Sequence, residues 1–184
     1  MKNREHGMRL AVVLVGGCAL VGISTRAHAD ERHSHRQSDL VNTVRQSTER
    51  FRDVAAAEAE GYTLMFGCVS GPDSGAMGLH YVNPALIGDD VVDATRPEIV
   101  IYEPLPNGRR TLIGADFLVF KDLWDATHDS PPQLGGQLFH LFEAPNRFGL
   151  PAFYTLHVWA WKENPTGTFV NWHSSVSCDA FNPQ

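Results

Sequence analysis

Residues 98–120 constrain the fold of this chain more than any other stretch. Two β-rich segments, 98–105 and 109–120, flank Pro106-Asn107-Gly108, and Asn-Gly between apolar runs is a strong short-range hairpin signal. With Asn107 and Gly108 as a two-residue loop, Glu103 pairs with Leu112. Ile99, Ile101, Glu103, Leu112 and Gly114 then share one face, and Val100, Tyr102, Ile113, Ala115 and Phe117 share the other. Both faces are largely apolar. A hairpin of that kind needs cover on both sides, so it belongs inside a layered domain.

The flanking sequence supplies those layers. From an N-cap at Ser38 or Asp39, the residues Leu40, Val44, Phe51, Val54, Ala55 and Ala59 recur at helical spacing as far as Gly61, opposite Arg45, Glu49, Arg52 and Asp53. Such a helix runs roughly 33 Å at 1.5 Å per residue, long enough to cross a sheet. Strand-like segments follow at 62–69, 79–82, 153–162 and 168–173. Residues 121–150, with Pro131-Pro132, Gly135-Gly136 and Pro145, read as a long irregular connection with a helical turn or two around 138–142. The expected fold is α+β, with one long N-terminal helix packed on a mainly antiparallel sheet of five or six strands.

The N-terminus reads as a secretory signal peptide over residues 1–29. Lys2, Arg4 and Arg9 precede an apolar run over 10–23, and Ala27-His28-Ala29 offers small residues where a signal peptidase reads, so cleavage is expected before Asp30. The apolar run is shorter than the roughly 20 residues that span a bilayer. Val15-Gly16-Gly17-Cys18 resembles a lipoprotein cleavage box, but cutting there would divide the apolar run and leave Ala-His-Ala without a role. The mature chain is then a single domain over 30–184 with a flexible start at 30–37.

Removing residues 1–29 takes four of the 15 Lys and Arg and one of the 21 Asp and Glu, which leaves a net charge of −9. An acidic domain repels phosphate backbones and anionic head groups, so neither nucleic acid nor, after cleavage, a membrane is an expected partner. With Cys18 removed, Cys68 and Cys178 remain. An even pair in an oxidising periplasmic or extracellular space reads as a disulfide.

The familiar catalytic signatures are missing. The chain has no Gly-x-Ser-x-Gly elbow, phosphate loop, His-Glu-x-x-His or Cys-x-x-Cys. His80 and His157, however, lie in apolar strands, and Glu103 lies in a third. Each such group needs buried partners, and two imidazoles with a carboxylate form a ligand set for a divalent transition metal such as Zn, Cu or Fe. The competing reading makes both histidines core residues bonded to carbonyls, with Glu103 paired to Arg109, Arg110 or a backbone amide. His140 and His173 are candidate additional ligands, whereas His128, beside Asp125 and Asp129, reads as surface. Trp159 and Trp161 alternate with the opposite face on the strand that carries His157. With Trp172 they offer either a stacking platform for a small ligand or ordinary core.

The phrases Gly78-Leu-His-Tyr-Val-Asn83, Tyr102-Glu-Pro104, Leu156-His-Val-Trp-Ala-Trp-Lys162 and Asn164-Pro-Thr-Gly-Thr-Phe169 resemble those of a group of uncharacterised exported bacterial proteins. Where that pattern has Trp-Asn-Pro before the last cysteine, this chain has Trp172-His173-Ser174, so no role for His173 carries over. The resemblance implies secretion and a single domain and implies no reaction. Three functions stand open on the residues: a secreted metal- or small-ligand-binding protein using His80, Glu103 and His157, a metal-dependent oxidoreductase or hydrolase using the same residues, and a structural or interaction protein without a site.

Overall fold

The computed structural model describes residues 21–181, with side chains from His28 onward. The basic start of the expected signal peptide, most of its apolar run and Cys18 lie outside the described residues. Helix α1 (Val21–Thr48) starts well before Ser38, and residues 30–37, read from sequence as a flexible start, are helical and mostly solvent-facing. Leu40 and Val44, one turn apart, are its buried contacts with the sheet.

The single helix expected to reach Gly61 is interrupted. A 3-10 turn over Glu49–Arg52 follows α1, and Asp53 then caps a second helix, α2 (Val54–Ala59), by accepting from the Ala55 backbone N–H. The cause is Phe51, buried against Tyr62 with ring centroids 5.1 Å apart. Its carbonyl accepts from the Tyr102 hydroxyl at 2.6 Å, a partner that lies on the sheet.

Strands β1 (Thr63–Ser70) and β2 (Ala76–Val82), helix α3 (Pro84–Ile87), and strands β3 (Ile99–Pro104) and β4 (Arg110–Phe120) come next. They are followed by helix α4 (Lys121–Asp125), strands β5 (Gln133–Leu134), β6 (Gln137–Leu138) and β7 (His140–Phe142), and β8 (Phe153–Val158). Six of the strands form one antiparallel sheet in the order β1-β2-β3-β4-β8-β7, and β5 and β6 pair separately. The α+β architecture is as the sequence led one to expect.

The β3–β4 hairpin closes differently from the two-residue loop. Leu105 N–H donates to the Arg109 carbonyl and Gly108 sits at φ +76°, so the loop holds three residues and the nearby register moves by one, pairing Glu103 with Thr111. An irregularity between Ile101 and Tyr102 restores the expected pairing of Ile101 with Gly114 and of Ile99 with Asp116. Leu112 and Ile113 consequently exchange the faces that the simple register gives them. Leu112 packs with Tyr81 and Tyr102, and Ile113 packs with Ile99 and Ile101.

Both faces are covered. Leu40, Val44, Phe51 and Tyr62 pack one side, while Phe142, Phe148, Leu150, Val176 and Cys178 pack the other. Part of that second cover is β7, found where a helical turn was expected, because its backbone pairs with the otherwise open edge of β8. Strand β8 stops at Val158, short of the expected 162, since Trp159 N–H donates to Thr168 and Trp161 N–H to Ile113 as the chain crosses over. The strand expected at 168–173 reduces to one bridge, His173 to Ala76. A disulfide joins Cys68 to Cys178, whose Cα atoms are 5.7 Å apart. Among the described residues no helix is long and apolar enough to cross a membrane.

Candidate metal centre

The face of the sheet turned away from α1 carries a polar cluster inside the core. His80 stands on β2, Asp116 on β4 and His157 on β8, and each is at most 4% exposed. One ligand atom from each lies within 4.8 Å of the others. The register explains the meeting: Asp116 pairs directly with His157, while His80 lies opposite Ile101, two residues along β3 from Ile99, the partner of Asp116, so that His80 approaches Asp116 diagonally on the same face.

The two imidazoles differ in their surroundings. His80 Nδ1 is 3.2 Å from the Gly78 carbonyl, which can only accept, so Nδ1 carries the proton and Nε2 presents its lone pair. Gly78 has to be glycine there: at φ +92°, a Cβ would lie 2.7 Å from the Tyr102 carbonyl oxygen. At His157 both ring nitrogens are buried without a hydrogen-bond partner, although Nδ1 faces Asp116 Oδ1 at 3.4 Å. Asn171 faces the same ring without completing a hydrogen bond, and its own Oδ1 is buried and unpartnered. Asp116 accepts a hydrogen bond from the Thr155 hydroxyl.

Burial sets the electrostatics. It pushes the Asp116 carboxyl up to about 6, against the stabilising Thr155 hydrogen bond. Burial, and then the neighbouring His157, push His80 down to about 4; burial, and then His140, push His157 down to about 3. At neutral pH the cluster is therefore an ionised carboxylate between two neutral imidazoles, with no Lys or Arg lining the cavity around it. Glu98, buried nearby and accepting from the Leu118 N–H, is pushed up to about 8 by burial, so it stays protonated and adds no second negative charge. An anion held away from water without a cation is costly, and a divalent ion would remove that cost while using the free nitrogen lone pairs.

Comparison of the chain with protein-family models, curated proteins and solved structures finds no match. Function has therefore to be read from the geometry.

The cluster contains two of the three residues expected from sequence. Glu103 lies elsewhere, with both carboxylate oxygens on Lys162 Nζ at 2.9 and 2.7 Å. It shares the face of Ile99 and Ile101, but it is four residues along β3 from Ile99, roughly 13 Å at 3.3 Å per residue. Asp116 takes its place, and its signal was present in the sequence: it is the lone charge within the apolar run 112–120, at a position the hairpin register sets opposite Ile99. Glu103→Gln should accordingly leave metal content unchanged and cost on the order of 1 kcal/mol through its partly exposed ion pair, checked by elemental analysis and denaturant unfolding.

The remaining candidates stand apart. His140 is exposed at the sheet edge opposite Thr155. His173 is buried, but Trp159 packs edge-on against it at 4.9 Å and its Nδ1 accepts from the Ser175 N–H. His128 stacks on Trp124 at the surface. Trp159 and Trp161 form no platform. Trp159 is 3% exposed and donates to the Val170 carbonyl, whereas Trp161 donates to Thr48 Oγ1 and packs with the clusters on the helix side.

The cavity beside the cluster offers about 20 Å³ to the centre of a water molecule. That is room for between one and two waters, at about 10–15 Å³ each, and not for an organic molecule. Two imidazoles and a carboxylate with free space beside them resemble open metal sites more than the closed four-ligand structural kind.

Proposed function

We propose that this is an exported metal-binding protein in which His80, Asp116 and His157 hold a divalent transition ion. The observation that carries the reading is His157: both of its nitrogens are buried without partners, beside an equally buried carboxylate 3.4 Å away. A core histidine normally satisfies at least one nitrogen, and two such orphans next to an unpaired anion are accounted for together by one ion. Export is supported by the basic and apolar start, the Ala27-His28-Ala29 box and the Cys68–Cys178 disulfide, which suits an oxidising compartment.

The test is elemental analysis of protein recovered from the exported fraction without chelator, where a stoichiometric divalent metal is expected. Protein that neither carries nor takes up Zn, Cu, Fe or Co would reject the proposal. The pH dependence has a definite sign. The ion binds the ionised Asp116, so below about 6 it must displace a proton, and affinity should fall about tenfold per pH unit. Below about 4 the fall should steepen as His80 also takes up a proton. Competition titrations between pH 7 and pH 5 measure it, and affinity that stays flat across that range would remove Asp116 from the ligand set.

A further inference from the structure

We infer that the ion keeps a coordination position for a small inorganic anion, which reaches it past Phe66. The inference rests on the metal-binding reading above and specifies what else that site takes.

Charge gives the first argument. A divalent ion with one carboxylate and two neutral imidazoles leaves one positive charge uncompensated, and Asp116 is the only carboxylate among the residues lining the cavity. The rest of the lining is apolar apart from Thr155, whose hydroxyl is already spent on Asp116, and Met77 contributes a neutral thioether. In so dry a space an anion that neutralises the centre is strongly favoured over a neutral ligand of the same size. The volume, between one and two waters, limits that anion to about two heavy atoms, with a slim linear triatomic such as azide at the upper limit.

The route gives the second argument. Of the lining residues Phe66 is the most exposed, at 40%, ahead of the half-buried Phe142, Phe148 and Leu150, which puts its ring on the solvent side of the cavity. Its placement is built in. Strand β1 pairs Met65 with His80 and then Cys68 with Leu79, so that Phe66 and Gly67 form a bulge next to His80, at φ +66° and +64°. Positive φ is costly for a phenylalanine and is kept only where the surroundings enforce it. The enforcing contacts are Phe148, 5.4 Å away and edge-on, the disulfide at Cys68, and Phe181, whose ring lies 3.3 Å from where a Cβ on Gly67 would stand.

The experiment uses the mature protein loaded with Co(II), whose visible bands report both uptake and ligand exchange, with azide and imidazole as probes. Azide should shift the bands of the wild type, and imidazole, too large for the cavity, should leave them unchanged. In Phe66→Ala, or in Phe66→Leu if the alanine variant folds poorly, imidazole should shift the bands as well. Bands that form with Co(II) but ignore azide would overturn this inference and leave the metal-binding reading standing. Imidazole binding to the wild type, or its exclusion from both folded Phe66 variants, would equally overturn it. Failure to take up Co(II) at all would reject the metal site and the anion position with it.

Discussion

Asp116→Asn should empty the metal site and leave the metal-free protein at least as stable as the wild type. Asparagine matches aspartate in size and can still accept the Thr155 hydroxyl, so packing is preserved while the negative charge is lost. Losing a charged ligand should lower metal affinity by more than the roughly 10- to 100-fold typical of groups that only support a ligand. The stability effect has the opposite sign. Asp116 is raised from 3.8 to about 6, so the folded protein resists ionising it, and at pH 7 that resistance costs on the order of 3 kcal/mol. A neutral amide removes the cost. With metal present the order should reverse, because the ion stabilises only the protein that binds it. Thermal unfolding of both proteins, with metal and after chelation, reads out the crossing. Asp116→Asn that retains its metal, or that melts well below the chelated wild type, would show that the carboxylate is a structural group.

Removing the disulfide should have the largest effect on stability. Cys68 and Cys178 close a loop with a sequence separation of 110, for which the chain-entropy model gives about 4.7 kcal/mol. At roughly 2–4 °C per kcal/mol for a chain of this size, the Cys68→Ala/Cys178→Ala variant should melt about 10–20 °C below the wild type. The loss should also reach the candidate centre. The bridge anchors the bulge that positions Phe66, and it holds the C-terminal segment through Val176 and Phe181 against the sheet. Calorimetry under non-reducing conditions measures the shift, and a change below about 2 °C would mean that the unfolded chain is already compact without the bridge.

How far the site was legible depended on how local each signal was. The helix at Leu40 and Val44, the hairpin at Asn107-Gly108 and the Cys68–Cys178 pair rest on spacing or on a compartment argument, and they appear in the structure. His80 and His157 were legible because a histidine in an apolar strand stands out. The pattern points to Glu103 in place of Asp116 because alternation identifies a face and not a position along the strand, and both residues occupy the right face. The exchange of Leu112 and Ile113 came from a three-residue loop and a compensating irregularity, which one extra residue creates without changing the apolar pattern. The break after Thr48 and the edge strand β7 were hidden for another reason. Each depends on a partner far away in the chain, Tyr102 for Phe51 and β8 for β7.

The same distances bear on how the protein would acquire its ion. His80, Asp116 and His157 come from separate strands, and no two of them lie within a short stretch of chain that could chelate before folding. A growing or unfolded polypeptide therefore does not bring these three ligands together. The centre exists only after β2, β3, β4 and β8 have paired, which places metal capture after chain collapse. If the chain is exported and the cluster holds an ion as proposed, the metals free in the compartment where folding finishes would decide which one is bound.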